Sequence, residues 1–160
     1  MSKKVSVIIP TMNEAKYLPR LLESLKRQTV KNFEIIIADS ESNDKTLKIA
    51  KVAGARISYG KRKGPGEGRN RGAKKANGDV FVFVDADCIL PPNLLEFIVN
   101  ALKESKIIGG CTSFVPNSGS LTDKILFKLA NLYQGTLTSL GLPHNAGYCF
   151  FFRKEVFEKL

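Results

Sequence analysis

The hydrophobic positions of this chain form short apolar runs that alternate with stretches of helical periodicity. The runs VSVIIP (residues 5–10) and FEIIIAD (residues 33–39) are rich in β-branched residues, so each predicts a buried strand. The segment between them carries four leucines at the i, i+3, i+4 and i+7 spacing of one helix face: Leu18, Leu21, Leu22 and Leu25. This spacing predicts an amphipathic helix, and we expect Asn13 to be its N-cap.

The same alternation continues along the chain. We predict further strands at ARISYG (55–60), VFVFVD (80–85), KIIGGCTSF (106–114) and GYCFFFR (147–153). Further helices are predicted over residues 44–52, from about Gly68 to Ala76, from Pro92 to about Leu102 and over residues 121–140. This order indicates an α/β fold, in which helices flank a mostly parallel, Rossmann-like sheet. We expect one domain over residues 1–160, because 43% of the chain is hydrophobic and no repeat or boundary interrupts it.

Polar side chains follow three of the predicted strands, at the point where each strand ends. They are Thr11, Asn13 and Glu14 after the first strand, residues 39–44 after the second, and Asp85 and Asp87 after VFVFV. In an open parallel sheet, ligands bind outside the carboxyl ends of the strands. We therefore expect these segments to converge on one site.

Asp85 and Asp87 pose a specific question, because two carboxylates one residue apart follow a run of five apolar residues. In an extended strand, residues i and i+2 point to the same face, so both side chains could reach one ligand. Two hard oxygen donors suit Mg²⁺ or Mn²⁺, which leave their other positions to water and phosphate. A solvated acidic turn is the competing interpretation.

Basic residues dominate the middle of the chain and give it a formal net charge of +10. Nine Lys and Arg side chains lie between Lys51 and Lys75, against the single acid Glu67. The glycines here are not a dinucleotide fingerprint, since Arg71 occupies the third glycine position, and no Walker sequence is present. Arg69 and Arg71 could instead grip phosphate oxygens. The alternatives are a solvated basic loop or a surface for RNA or anionic lipid, although Tyr59 is the one nearby aromatic residue for base stacking.

The cysteine count and the length of the apolar runs indicate the cellular compartment that we expect for this protein. Cys88, Cys111 and Cys149 are odd in number and are not spaced like a zinc site, which favours reduced thiols. The N-terminus does not read as a signal peptide, and no apolar run approaches about 20 residues. We expect a cytoplasmic protein, with peripheral membrane association left open.

Five segments, taken together, resemble family-two glycosyltransferases, which have the GT-A fold and use nucleotide-sugar donors. They are VSVIIPTMNEAKYLPRLLESLKRQT, EIIIADSESNDKT, GRNRGAKKANGD, FVDADCILPP and GYCFFFRKEVFEKL. The resemblance implies an inverting, metal-dependent transfer of sugar from a nucleoside diphosphate, UDP or GDP, to a saccharide, lipid-linked or other acceptor. Nucleic acid is not an expected partner on this interpretation.

The resemblance also implies roles on the nucleoside side of the site. Pro10, Thr11 and Glu14 match positions that border the nucleoside. Asp39 matches the carboxylate that hydrogen-bonds the base, typically uracil. The competing interpretations are that Glu14 favours the positive end of its helix and that Asp39 is a turn residue.

On the diphosphate side, the resemblance places Arg69 or Arg71 near the donor diphosphate or near Asp85-Ala86-Asp87, which we call the D-x-D segment. Asp85 matches a residue near the ribose and the metal, Ala86 borders the donor, and Asp87 matches the direct ligand of Mn²⁺ or Mg²⁺.

The resemblance stops before the catalytic base. In inverting members an Asp or Glu base follows the segment similar to GYCFFFRKEVFEKL, so we expect that the acceptor-side part is missing and that the chain is C-terminally truncated. His144 is the only base candidate that we name, and a lone loop histidine is more often structural. A donor-binding protein without efficient transfer, or an acceptor that is a lipid phosphate and needs no base, would also fit. Ile89 stands where lipid-phosphate enzymes tend to carry a polar residue.

Two other classes compete with this interpretation. A non-catalytic module would bind nucleic acid or a membrane surface through residues 61–75. A sugar nucleotidyltransferase would need a glycine-rich loop after the first strand, which VIIPTMNEA lacks.

Overall fold

The computed structural model describes residues 4–116, 119–140, 142 and 147–159. The strands in this part of the chain are β1 Val5–Thr11, β2 Phe33–Asp39, β3 Arg56–Ile57, β4 Val80–Val84, β5 Gly109–Cys111 and β6 Cys149–Arg153. The helices are α1 Leu18–Lys26, α2 Thr46–Val52, α3 Pro65–Ala73, α4 Leu94–Ala101, α5 Leu121–Ser139 and α6 Lys154–Phe157.

The strands form one sheet in the order β3-β2-β1-β4-β6-β5. Neighbours from β3 to β4 are parallel, whereas β6 runs antiparallel to β4. The predicted fold class is confirmed, since this is a mostly parallel α/β sheet flanked by helices. The chain leaves β1 toward β2 on one side and returns to β4 on the other, so the strand order reverses between β1 and β4. Such a switch point opens a crevice at the carboxyl ends of the two strands.

Both faces of the central strands β1 and β4 are buried, which explains why these strands are continuous apolar runs. Val5, Val7 and Ile9 of β1 pack in one cluster with the leucines of α1 and with Leu95 of α4. Ile8 points to the other face and joins a cluster of buried residues there: Ile36, Ala73, Ala76, Phe81 and Phe83. The alternation of side chains along β1 thus anchors helices on each side of the central strand.

Element boundaries differ from the sequence predictions in specific places. The strands predicted at residues 55–60 and 106–114 shorten to Arg56–Ile57 and Gly109–Cys111. The prediction that Asn13 caps α1 is wrong: the N-cap residue is Tyr17, Pro19 lies in the first turn, and no side chain bonds the cap. Asn13 instead has a left-handed backbone with φ 59° and contacts the loop after β2.

Helix α3 begins at Pro65 rather than near Gly68, so part of the predicted glycine-rich loop is helical. Two of its glycines, Gly68 and Gly72, pack against the sheet. A Cβ on Gly72 would lie 2.5 Å from Cγ2 of Ile8, and one on Gly68 would lie 3.5 Å from Cβ of Pro10. These two positions let the helix backbone lie close to β1, which fixes the direction in which the arginines of α3 point.

The described residues fall into two compact units, one within 1–110 and 148–160 and the other within 111–147. In the smaller unit, Asn131 of α5 accepts a hydrogen bond from the backbone N–H of Phe114 and donates one to its carbonyl. That residues 1–160 form one nucleotide-sugar-binding domain stays a prediction. None of the helices in the described part of the chain has the length and apolar character needed to cross a membrane.

Candidate functional site

A cleft of about 390 Å³ opens at the carboxyl end of the sheet, where the strand order reverses. Segments that follow β1 and β4 form two of its walls, and the segment that leads into α3 forms a third. The described residues that line it are Pro10, Thr11, Met12, Glu14, Ser40, Arg62, Gly64, Pro65, Arg69, Asp85, Ala86 and Asp87. The structure therefore brings together seven of the predicted site residues, namely Pro10, Thr11, Glu14, Arg69, Asp85, Ala86 and Asp87.

The loops after β1 and β2, residues 11–15 and 39–46, are tied to each other by hydrogen bonds; we call them the paired loops. Asn13 lies at the centre, since its N–H donates to Oγ of Ser42 (2.9 Å) and its Oδ1 accepts from the N–H of Asn43 (2.8 Å). Three further backbone N–H groups donate across the loops. The Ser40 N–H donates to the Thr11 carbonyl (2.9 Å), the Glu14 N–H donates to Thr46 Oγ1 (2.8 Å), and the Ala15 N–H donates to Asp44 Oδ2 (3.0 Å). These bonds hold this side of the cleft in one geometry.

Asp39 is fully buried within the paired loops, at 0% exposure. Its Oδ2 accepts hydrogen bonds from Thr11 Oγ1 (3.0 Å) and Ser42 Oγ (2.6 Å), and its Oδ1 accepts one from the Ser42 N–H (3.0 Å). The carboxylate thus joins the two loops from beneath, and Asp39 is not among the described residues that line the cleft. Its assignment to base recognition stays a prediction.

Glu14 lines the cleft across from the D-x-D segment. Burial raises the pKa of its carboxyl group, and the negative charges of Asp87, Asp44 and Asp85 raise the pKa further. Its backbone carbonyl accepts from the N–H groups of Tyr17 and Leu18 at the start of α1. Glu14 therefore faces the other carboxylates of the cleft, while its backbone starts the helix.

Asp85, Ala86 and Asp87 lie beyond the end of β4, because the strand stops at Val84. The expectation that both carboxylates share one face of a strand is therefore wrong, although both reach the cleft from the turn. The Asp85 N–H donates to the Tyr148 carbonyl (3.0 Å), which ties the turn to the residue before β6. Burial raises the pKa of Asp85; the Arg69 cation opposes this rise, and the charge of Asp87 adds to it.

The two arginines of α3 point to different places. Arg69 Nη2 donates to Asp85 Oδ1 at 2.5 Å, and its guanidinium lies 5.4 Å from the ring centre of Phe150. Arg71 Nη2 donates to the Asp39 carbonyl (2.8 Å), and its Nε donates to the Ser58 carbonyl (3.3 Å). Of the two alternatives that the sequence left open, Arg69 faces the cleft and Arg71 supports the ends of β2 and β3.

The donor set of the cleft fits a divalent cation that prefers oxygen. Asp87 is exposed and Asp85 is half-buried. Burial raises the pKa values of Asp85 and Glu14, and the charge of Asp87 adds to the rise in both. No group of three or more His, Cys, Asp and Glu side chains with metal-site geometry occurs in the described residues. Two carboxylates are nevertheless what Mg²⁺ or Mn²⁺ takes from a protein when phosphate and water complete the shell. Asp87, with Asp85, would hold such an ion.

Sequence reasoning missed other residues of the cleft. Arg62 and Gly64 before α3 and Pro65 at its start form one wall, and Met12 and Ser40 belong to the paired loops. Arg62 belongs to the basic segment, but nothing in its spacing singled it out. The predicted base candidate His144 lies outside the described residues.

Cys88, next to the D-x-D segment, is a half-buried thiol. Burial and then the charge of Asp87 raise its pKa to about 12. It stays protonated near neutral pH, which argues against a nucleophilic role.

Comparison with known proteins places this geometry in a family. The family description "Glycosyl transferase family 2" matches residues 6–160. The chain belongs to this family. A relative is the poly(ribitol-phosphate) β-N-acetylglucosaminyltransferase TarP of Staphylococcus aureus, which is 31% identical over 98% of the chain.

Solved structures give the same fold. The crystal structure of S. aureus TarS residues 1–349 matches 98% of the chain with a TM-score of 0.75 and 23% identity. Glucosyl-3-phosphoglycerate synthase from Mycobacterium tuberculosis, in complex with Mn²⁺, UDP and glucosyl-3-phosphoglycerate, matches 99% with a TM-score of 0.72 and 26% identity. The chain spans 51% of TarP, 48% of the TarS structure and 59% of the synthase structure, or about half the length of these proteins.

Proposed function

We propose that this glycosyl transferase family 2 chain binds a nucleoside-diphosphate sugar, UDP- or GDP-linked, and supports metal-dependent transfer of the sugar with inversion. One observation carries the proposal: the cleft at the switch point places Asp85, Asp87 and Arg69 across from Thr11 and Glu14. This combination offers carboxylates for a cation and a guanidinium for phosphate on one side, and fixed loops on the other. The M. tuberculosis synthase, whose complex contains Mn²⁺ and UDP, supports this choice of ligand class.

On this proposal the paired loops hold the nucleoside. The backbone and side chains of Pro10, Thr11 and Glu14 border it, and Asp39 fixes the shape of the pocket from beneath. Direct recognition of the base by Asp39 would require its carboxylate to exchange a bond from Thr11 or Ser42 for one from the base. The base would replace one of these hydrogen bonds rather than add a new one, because the displaced hydroxyl group would then have to find another partner.

The diphosphate lies between α3 and the D-x-D segment. Arg69 and Arg62 bring positive charge to it, and bidentate contact from Arg69 orients its oxygens. A divalent ion, when bound by Asp87 and Asp85, supplies Lewis-acid neutralisation of the leaving diphosphate. Arg69 then divides its hydrogen bonds between Asp85 and phosphate. The acceptor, a saccharide, a lipid-linked molecule or another hydroxyl compound, is activated by a base that the described residues do not identify.

The competing proposal is a basic module that binds polyanions. It is favoured by the exposure of Lys61, Arg62 and Lys63 on one segment. Binding by that segment alone would be steeply salt-dependent and indifferent to metal and to Asp87. Binding of a sugar donor would instead be selective for one nucleotide and would need both the metal and Asp87.

A thermal-shift screen with UDP, GDP, CDP and dTDP, each with Mn²⁺ or with EDTA, tests the proposal. A ligand that binds only the folded chain raises its stability by RT ln(1 + [L]/Kd), so selective binding is visible as a rise in Tm. We expect a metal-dependent rise with a single nucleotide, and at least about a tenfold loss of its affinity in Asp87→Asn, since an anionic ligand of the cation is removed. Glu104→Gln, which removes an exposed carboxylate outside the cleft lining, is the matched control. Undiminished affinity in Asp87→Asn would overturn the central role of this residue.

A further inference from the structure

We propose that Glu41 is a positioning residue, which holds the wall segment of the cleft, residues 60–64, through its side chain. This inference rests on the proposed function, because the wall segment matters only if the cleft binds a donor. The observations that carry it are the backbone conformation of Glu41, the contact that its carboxylate makes, and the place of the contacted residue on the cleft lining.

Glu41 has a left-handed backbone, with φ 60°, which glycine adopts readily and glutamate does not. Hydrogen bonds hold the residues on both sides of Glu41 in place. The Ser40 N–H donates to the Thr11 carbonyl (2.9 Å), and the Ser42 N–H donates to Asp39 Oδ1 (3.0 Å), so the chain on each side is fixed. A side chain that the fold tolerates only with strain at this position calls for a function of that side chain.

The Glu41 carboxylate reaches out of the paired loops to the wall segment. Its Oε2 accepts a hydrogen bond from the backbone N–H of Arg62 at 3.3 Å, across 21 residues of sequence. The first residue of the segment is tied to the same region, since the Gly60 N–H donates to the Asp39 carbonyl (3.0 Å). At its far end, Gly64 has φ 90° and precedes α3. Glu41 thus contacts the middle of a short segment whose two ends are already placed.

The contacted segment forms part of the cleft. Arg62 and Gly64 line it together with Thr11 and the D-x-D residues. Lys61, Arg62 and Lys63 are consecutive, exposed cations that repel one another, which favours an open and mobile segment. The hydrogen bond from the backbone N–H of Arg62 to Glu41 holds the segment in place against this repulsion and leaves the Arg62 guanidinium available to face an anion.

Side-chain length and chemistry are both specific in this arrangement. Glycine would remove the strain and the acceptor together, whereas asparagine tolerates the left-handed conformation but is one methylene shorter. Glutamine keeps both the reach and a carbonyl acceptor, while it removes the charge. The series Glu41→Gly, Glu41→Asn and Glu41→Gln therefore separates strain, reach and charge.

Two readouts test the proposal on the whole chain: trypsin cleavage after residues 61–63, and affinity for UDP and GDP with Mn²⁺. We expect Glu41→Gly and Glu41→Asn to be cleaved about three to ten times faster there, the change that follows from loss of one hydrogen bond, without a fall in Tm. Nucleotide affinity should fall by a similar factor, and Glu41→Gln should restore both values. Glu67→Gln, which removes a charge close to the same segment without a bond to Arg62, should match the unchanged chain.

The alternatives give different patterns. Tighter nucleotide binding in both Glu41→Gly and Glu41→Gln, with unchanged cleavage, would mean that Glu41 acts by charge alone and would overturn the proposal. Cleavage and affinity equal to the unchanged chain in Glu41→Gly would overturn it as well. If the unchanged chain binds neither nucleotide, the proposed function fails and the role at a donor site fails with it, whereas binding without any effect of Glu41 removes this inference alone.

Discussion

The two sides of the cleft use their polar groups in opposite ways. In the paired loops, Asp39 receives three hydrogen bonds from Thr11 and Ser42 and is fully buried. Across the cleft, burial raises the pKa of Asp85; the Arg69 cation opposes this rise, and the charge of Asp87 adds a smaller contribution to it. On one side the Asp39 carboxylate is already hydrogen-bonded within the fold, whereas the other side presents the Asp85 and Asp87 carboxylates to the cleft, where a ligand can neutralise them.

Because of this difference, we expect mutations of the two groups to affect different quantities, either the stability of the fold or the affinity for a ligand. Bonded groups inside a fold stabilise it, and their removal leaves partners without bonds. Groups that repel one another in a cleft lower stability and are relieved when a cation or an anion binds. Mutations of the buried, hydrogen-bonded groups of the paired loops should therefore act on folding, and mutations of the charged groups that line the cleft should act on binding.

The largest effect is expected at Asp39. Replacement by alanine removes the shared acceptor of Thr11 and Ser42, and we expect a loss of about 2–4 kcal/mol in the free energy of unfolding. Urea denaturation followed by circular dichroism measures it. Asp87→Ala is the control from the other side and should change stability by no more than about 0.5 kcal/mol. Equal losses in the two variants would show that the two sides do not differ.

Helix α3 contacts both sides of the cleft, and substitutions of its glycines measure how closely the helix packs on β1. Gly72→Ala places a methyl group 2.5 Å from Cγ2 of Ile8, so we expect a loss of about 1–3 kcal/mol in unfolding free energy. Gly66 has open space around it, and Gly66→Ala should instead gain about 0.5–1 kcal/mol from helix propensity. The same denaturation experiment compares them. A neutral Gly72→Ala would show that α3 can move away from β1 at little cost.

The two arginines of α3 provide a sharper comparison within one helix. Arg71→Lys loses the bonds to the Asp39 and Ser58 carbonyls, so we expect a fall of about 1 kcal/mol in stability with little change in nucleotide affinity. Arg69→Lys should keep stability and weaken nucleotide binding by about tenfold, because a lysine cannot make paired contacts to phosphate. Denaturation and nucleotide titration with Mn²⁺, applied to both variants, decide the matter. The reverse pattern would assign the cleft to Arg71.

The smallest effect concerns pH in the absence of metal. The pKa of Glu14 in the folded chain is raised, so the stability that its protonated form contributes is present below its ordinary value of 4.5 and is lost as pH rises through the raised pKa. We expect Glu14→Gln, which cannot ionise, to gain stability relative to the unchanged chain across this window. Melting curves of both proteins between about pH 3.5 and pH 7 measure the difference. A difference that is flat or of opposite sign would show that burial and the neighbouring carboxylates do not raise the pKa of Glu14 in the folded chain.

The sequence by itself determined the α/β fold and the approximate position of the cleft. The runs at β1, β2 and β4 are apolar because both faces of the sheet are buried, so they stand out in any reading. The polar residues Thr11, Glu14, Asp85 and Asp87 at the ends of the first and fourth predicted strands were expected at one site, because parallel strands end at one edge of a sheet. The family resemblance added Pro10. The family followed from the same segments, which matched over residues 6–160.

Only the tertiary structure decided how each polar group is used. Sequence spacing could not separate Arg69 from Arg71, since the packing of Gly68 and Gly72 on β1 sets the direction of both. Sequence spacing predicted Asn13 as a helix cap. It could not show the hydrogen bonds between Asn13 and the residues Ser42 and Asn43, because these residues lie about 30 positions away along the chain. It gave Glu41 no role, since the positive φ and the contact with Arg62 arise only after β1, β2 and α3 are assembled. Local patterns fix which elements form, whereas hydrogen bonds between distant loops depend on how those elements pack.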